Sequence, residues 1–419
     1  MAAIVDRRSR PQVTVTLEDQ KNGVVNSYTT GDEINGNVTV TVNEDVAIDA
    51  FQITFEGISE TTVEPPGTII NRTAATHCFL RLRQPVDFGR LPPCRALRRG
   101  ILYTFPFNFV LPARLLPQAC DHETSNWVLK DAHARLPPTL GDPVYLHRQG
   151  TAPDDFAPTA CRVSYIIKVW ITKNLSDGDS QFASNVLAAV GKKVHVIPTV
   201  DEEPPLSVQE DSAEYRPWAE TLIRKGLFRI PTGQLKLFAI QPRPLVVQLR
   251  GCEPSVTSSI LAKLNLRFDP VEDEQPPQLD TVCSQLKVMT FLGVLPFTDF
   301  PTNAPNEWNQ MNRRTFQQVI PLLNIQVGSV VWQKEIKTHS AQDDISSCQH
   351  RAQQKTYYTA SISIPTSLPT GKSFIPTFHS CYISRIYILK LKVSYFTLSR
   401  LTGTSSIKLP IQITAGRQA

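Results

Sequence analysis

From Thr29 to Thr41 the chain reads TTGDEINGNVTVT, and inward and outward side chains take strict turns through it. Ile34, Gly36, Val38 and Val40 interleave with Asn35, Asn37, Thr39 and Thr41. Further on, Phe51, Ile53 and Phe55 interleave with Gln52, Thr54 and Glu56 in FQITFEG. A strand sends successive side chains to opposite faces, so a period of two builds a sheet with one dry face and one wet face. Thr-Gly-Asp-Glu opens the first strand and Asn43-Glu44-Asp45 closes it, as turn residues do. Two half-buried antiparallel strands of this kind point to a β-sandwich.

The same rhythm recurs along the chain. Val13, Val15 and Leu17 show it, then Phe105, Phe107, Phe109 and Leu111 in FPFNFVLP. Cys161, Val163, Tyr165, Ile167, Val169 and Ile171 follow in CRVSYIIKVWI, and KKVHVIP (192–198) reads as one more strand. In the second half LKLFAIQPRPLVVQLRG, SSILAKLNLRF and QLKVMTFLG continue it. Tyr387 to Tyr395 and Ile407 to Ile413 close the series. Two short helices are expected between strands. Ser180 to Gly191 has an N-cap serine and a terminal glycine. PWAETLIRKG has Pro217 in its first turn, Trp218 and Leu222 on one face, and Gly226 at its end.

Residues 201–234 open with the acidic, proline-bearing run DEEPPLSVQEDSAE, the composition of a linker. The chain has 419 residues, 41% of them hydrophobic, enough to fill two cores rather than one. Its 33 prolines mostly lie between apolar runs, which suits strands joined by loops. The expected fold is therefore all-β. Two tandem immunoglobulin-like antiparallel β-sandwich domains, 10–200 and 235–416, are joined by a hinge over 201–234 that carries a short helix. Residues 112–158, 298–320 and 338–356 read as long polar loops.

Net charge is +5, from 43 basic and 38 acidic side chains, and gives no reason to expect nucleic acid. None of the eight cysteines sits at CxxC spacing, the start MAAIVDRRSR has no apolar signal core, and no apolar run reaches the roughly 20 residues of a membrane span. A cytosolic chain with free thiols is expected.

Three groups of residues are of types that carry chemistry. FLRLRQPVDFGRLPPCRALRRG gathers Arg81, Arg83, Arg90, Arg95, Arg98 and Arg99 against Asp87 alone. Guanidinium forks suit phosphate, on a lipid headgroup or a phosphorylated tail, although charge runs are often only solvated faces. Cys120, His122, His133 and His147 are of zinc-ligand type. Their spacing matches no finger and the second cysteine is missing, so they read as polar loop residues and no metal or other cofactor is expected. Nucleophile signals are poor: no Gly-x-Ser-x-Gly elbow is present, and Thr370-Gly371-Lys372-Ser373 lacks the upstream glycine of a phosphate loop and reads as a turn.

YTTGDEINGNVTVTV followed by IDAFQITFEGISET resembles the opening of an arrestin-like amino-terminal domain. FPFNFVLP, LPPTLG and CRVSYIIKVWI resemble its next landmarks, and SCYISRIYILKLKVSY with SIKLPIQI resembles the close of the carboxy-terminal domain. The style is that of fungal arrestin-like (α-arrestin-type) proteins, over most of 13–198 and 235–414. The resemblance implies no catalysis. It implies a cytosolic adaptor, recruited to the plasma membrane or endosomes, that binds membrane-protein tails and supports ubiquitin-linked endocytosis. α-Arrestin relatives recruit a ubiquitin ligase through Pro-Pro-x-Tyr, and none of the Pro-Pro pairs here has the tyrosine. The Leu-Pro-Pro segments remain as docking candidates for an aromatic groove. The alternatives are a retromer-like trafficking scaffold on the same fold and an enzyme built on a β-sandwich.

Overall fold

The computed structural model describes residues 10–19, 27–64, 72–86, 96–142, 154–174, 184–199, 214–226, 228–250, 253–257, 259–303, 312–337, 355–396 and 402–417. The first half carries β1 (Gln12–Leu17), β2 (Ser27–Tyr28), β3 (Glu33–Thr41), β4 (Val46–Ala47), β5 (Ala50–Val63), β6 (Thr73–Gln84), β7 (Ala96–Leu97), β8 (Tyr103–Val110), helix α1 (Trp127–His133), β9 (Cys161–Asn174) and β10 (Ser184–Val196). The second half carries β11 (Trp218–Lys225), β12 (Ile230–Ala239), β13 (Leu245–Arg250), β14 (Glu253–Thr257), β15 (Ile260–Pro270), β16 (Gln278–Gly293) and β17 (Arg313–Gln326). It ends with β18 (Gln333–Lys337), β19 (Lys355–Thr366), β20 (Phe378–His379), β21 (Ile383–Phe396), β22 (Thr402–Ile411) and β23 (Ile413–Arg417).

The protein is all-β, as the alternation predicts. In the first half a sheet ordered β1-β3-β8 faces one ordered β2-β10-β9-β5-β6. The inward set of β3 is the one read from the sequence: Ile34, Val38 and Val40 are fully buried. Contacts between aromatic rings join the two layers, with Phe51 of β5 on Phe105 of β8 at 4.4 Å between centroids and Phe55 on Phe109 at 5.7 Å. In the second half β11-β12-β15-β19-β18 packs over the sheet of β17, β16, β21 and β22. Leu235, Leu264, Phe268 and Ile364 from the first of these meet Leu286, Leu389, Leu391 and Leu409 from the second in one core.

The two cores trade side chains. The first takes in Leu292, Val294, Ile375, Phe378 and Ile383 from the second half, and the second takes in Phe156 from the first. Arg385 of β21 is fully buried at this seam. Its Nε donates to Thr290 Oγ1 at 2.9 Å, and its two terminal nitrogens donate to the carbonyls of Asp155 and Phe156 at 3.1 Å each. Phe156 holds a left-handed backbone, φ 59°, with its ring on Phe374 at 5.2 Å. Thr61 Oγ1 of β5 donates to Gly293 O at the end of β16, 2.7 Å away.

Four expectations change. Trp218–Lys225 is strand β11, not a helix. Trp218 and Leu222, which would share a helix face, are both about half exposed, while Ala219 and Ile223 are buried. The period is two, and β12 supplies the hydrogen-bond partners along the whole strand. Ser184–Val196 is likewise strand β10, paired with β9 across a bulge at Val186/Ala188; the ladder overrides the helix preference of its alanines. Residues 313–320, read as loop, begin β17, an edge strand with no buried residue and four exposed ones in a row, Phe316 to Val319, so no two-residue rhythm marks it. Conversely, residues 112–158 hold α1. Asn126 caps it by accepting from Leu129 N at 2.8 Å, and Leu129 and His133 bury at one-turn spacing. The acidic run 201–213 lies outside the described residues.

His195 in β10 is buried beside Ser27 Oγ, 3.0 Å from its Nδ1. Burial pushes its pKa from 6.5 down to about 3. Below 6.5 the unfolded chain takes up a proton that the folded chain refuses, so stability is lost as pH falls from 6.5 towards 3. Urea midpoints measured across that window are expected to drop more steeply for the wild type than for His195→Gln; equal slopes would remove His195 from the account.

Candidate functional site

The basic segment folds as strand and turn. Arg81 and Arg83 point outward from β6, an edge strand. Arg81 is tied to Glu56, Nε to Oε1 3.1 Å, and Lys168 reaches the other oxygen of that buried carboxylate at 2.7 Å. Arg83 donates to Gln52 Oε1 at 2.8 Å. Arg98 pairs with Asp45 at 2.8 Å, with both side chains about half exposed, and the backbone N of exposed Arg99 donates to the other oxygen of Asp45 at 2.8 Å. These bonds hold Asp45 below the usual carboxylate range. Arg90 and Arg95 lie outside the described residues. The described arginines thus fall into two pairs, Arg81/Arg83 on a strand and Arg98/Arg99 at a turn. The Arg98–Asp45 pair is exposed on both sides, and exposed ion pairs of this kind are worth little.

The Leu-Pro-Pro segment at Leu136–Pro138 is buried, and the Tyr165 hydroxyl donates to Pro137 O at 2.6 Å. It is a packed turn and offers nothing to a docking groove; the other Leu-Pro-Pro, 91–93, lies outside the described residues. Thr370–Ser373 forms a turn with Gly371 at φ 81°, as expected.

The Cys/His residues behave differently from the loop reading. Cys120 ends a 3-10 turn (Pro117–Cys120), His122 follows it, and His133 ends α1. Folding brings these three together and adds Cys381, from the turn between β20 and β21. The four candidate ligand atoms all lie within 4.8 Å of one another. Cys120 Sγ is 3.6 Å from His122 Nδ1 and 3.6 Å from His133 Nδ1. His122 Nε2 lies 3.2 Å from the carbonyl of Phe297, whose own N–H donates to Cys381 O at 2.7 Å. His133 and Cys381 are buried, and burial pushes the His133 pKa down to about 3 and the Cys381 thiol well up. A shallow surface depression lined by Cys120, His122, Asn126, Trp127 and Lys130 opens beside the group. His147 lies outside the described residues. Cys381 could not be found from the sequence, because nothing local marks it; only the packing of β20 and β21 against α1 brings it in.

Comparison with known families bears on the second half. Residues 304–415 match the family model described as Bul1 C terminus. The match begins before β17 and runs through β23, and it supports the arrestin-like reading of these strands. No curated protein matches the chain. No helix among the described residues is long and apolar enough to cross a membrane.

Proposed function

We propose that this chain is a non-enzymatic, arrestin-type adaptor of the cytosol that engages membrane-protein tails and supports their ubiquitin-linked trafficking. The observation that carries the reading is the match of residues 304–415 to the Bul1 C terminus, on a chain whose halves both build mainly antiparallel sheets. The working surfaces are edge strands and exposed loops. Strands β1, β6 and β17 each end a sheet, and an unpaired edge accepts an extended peptide through main-chain hydrogen bonds. Two units, 10–200 and 235–416, act on either side of 201–234, with β11 of that stretch joining the second unit through its pairing with β12. The ligase is reached without a Pro-Pro-x-Tyr motif, so its contact is a folded surface of the adaptor or a second protein.

Arg81, Arg83, Arg95, Arg98 and Arg99 supply the anion contact. Reversing Arg83, Arg98 and Arg99 to glutamate is expected to lower binding to phosphatidylserine vesicles, or to a phosphorylated tail peptide, at least about tenfold, since each basic residue near an anionic surface contributes on the order of 1 kcal/mol. Unchanged binding to both would remove the patch from the proposal. For the adaptor role itself the test is affinity capture and proximity labelling of the full chain in its native cell. A ubiquitin ligase together with a membrane protein is the expected recovery, and finding neither would sink the reading.

A further inference from the structure

We propose that Cys120, His122, His133 and Cys381 bind one zinc ion in a tetrahedral structural site that fastens the first half of the chain to the second. The inference stands apart from the adaptor reading, since it rests on the donor set and its geometry alone.

Two thiols and two imidazoles are the soft, tetrahedral donor set that selects zinc over hard, oxygen-seeking cations. With Zn–S near 2.3 Å and Zn–N near 2.0–2.1 Å, adjacent ligand atoms of a tetrahedron stand about 3.6 Å apart for S···N and about 3.8 Å for S···S. The two S···N separations at Cys120 are 3.6 Å, and no pair in the group exceeds 4.8 Å. From 4.8 Å, a contraction of about 1.0–1.4 Å at the widest edge closes the tetrahedron. Cys120 and His122 come from one turn, His133 from the end of α1 and Cys381 from the turn before β21.

The surrounding shell is arranged as metal-bound histidines require. A ligating imidazole usually gives its other N–H to a carbonyl or carboxylate, which fixes tautomer and ring plane. His122 does this: Nε2 faces Phe297 O at 3.2 Å, leaving the Nδ1 lone pair towards Cys120. The Phe297 peptide is bonded to both sides of the seam, accepting from His122 at its carbonyl and donating to Cys381 O from its nitrogen. Ser125 N donates to Thr298 O at 2.7 Å and fixes the loop that carries His122. His133 is the side chain that hydrogen bonding leaves unexplained. It is 1% exposed, its Nδ1 faces only a thiol, and its Nε2 has no partner among the described residues. A metal ion on Nδ1 would give that nitrogen a stronger partner than a thiol, while the Nε2–H would still lack an acceptor among the described residues.

Charge also balances. Binding displaces the two thiol protons to solvent, and Zn2+ with two thiolates and two neutral imidazoles sums to zero, which a buried site tolerates. The rival use of the same atoms is a Cys120–Cys381 disulfide. That bond would consume both sulfurs and leave two neighbouring histidines in a dry site with still fewer partners. A Cys–His nucleophile would have to be Cys120, which lines the adjoining depression, but that depression is wide open and gives no enclosed place for a substrate.

The test uses the full chain purified under reducing conditions without added chelator. Elemental analysis is expected to find about one zinc per chain, released when the thiols are titrated with an organomercurial. Cobalt substitution is expected to give thiolate-to-metal charge-transfer bands and the intense d–d bands of a tetrahedral ion. Cys381→Ser should weaken zinc retention at least tenfold against a chelating indicator, while Cys283→Ser, on β16 outside the group, should retain it. If Cys381→Ser fails to fold, the zinc content and cobalt spectrum of the intact chain decide alone. Metal well below one equivalent with no tetrahedral cobalt spectrum, or zinc held equally by Cys381→Ser, overturns the site. So does a pair of thiols that alkylate only after reduction.

Discussion

Replacing Arg385 with alanine is expected to destabilise the folded chain by about 3 kcal/mol or more. The side chain is fully buried, and all three of its described hydrogen bonds go to neutral oxygens. Removing it orphans the Thr290 hydroxyl and two main-chain carbonyls, each costing about 1–3 kcal/mol when left dry, and opens a cavity between the halves. The Asp155 carboxylate cannot compensate, since it is itself an acceptor, held by Gly141 N at 2.6 Å and Ala157 N at 3.0 Å. Arg385→Met separates the two effects. It refills most of the volume but satisfies no acceptor, so it should recover only the cavity part of the loss. Equilibrium urea unfolding measures both variants, with the midpoint falling and the slope unchanged if the transition stays cooperative. A loss below about 1 kcal/mol for alanine would mean that water replaces the guanidinium at the seam.

The second large effect is expected at Gly36. A Cβ there would lie 2.2 Å from the Thr16 carbonyl and 2.5 Å from the Phe107 ring. Gly36 pairs directly with both Leu17 and Phe107, so it sits in the central strand of its sheet beneath an aromatic ring from β8. The ring could turn aside, but a backbone oxygen of β1 cannot move without breaking the ladder. Gly36→Val should therefore cost about 3 kcal/mol, at the upper end for overpacking, and Gly36→Ala nearly as much. Gly57 provides the comparison. Its nearest obstacles are atoms of the Phe79 ring, the closest at 2.3 Å, and no backbone atom is among them. A side chain can yield where a strand cannot, so Gly57→Ala should be the milder change. Thermal or urea denaturation of the two alanine variants tests the ranking, and equal losses would refute it. The arrangement recurs at Gly233 under Phe268 and at Gly403 under Tyr395, in each case a ring covering a glycine of the adjacent strand.

The strands were legible wherever one face is dry and the other wet. Ile34 to Val40, Phe51 to Phe55 and Tyr387 to Tyr395 bury the inward faces that their spacing predicts, but Thr54 and Glu56, read as wet, are buried as well. Gly36 was legible as an inward position but not as a contact, because the ring above it comes from β8. Misreadings came where local preference and tertiary pairing disagree. The alanines of β10 favour a helix in isolation, and β11 carries its large apolar residues Trp218 and Leu222 on the exposed side, which inverts the usual cue. The helix α1 was marked by its Asn126 cap, but seven residues give too little periodicity to stand out from a proline-bearing loop. Three members of the Cys/His group were legible by type. The fourth was not, because Cys381 sits in an ordinary turn and owes its place to a packing partner far along the chain.

The trade of apolar residues between the two cores has a consequence for synthesis. Ile375, Phe378 and Ile383 complete the first core, yet they are made after every strand of the first half. The sheets of that half therefore leave the ribosome with part of their dry interior bare. Final closure waits until Ile383 has emerged, and until then the nascent chain presents a sticky facet of the kind that holding chaperones cover.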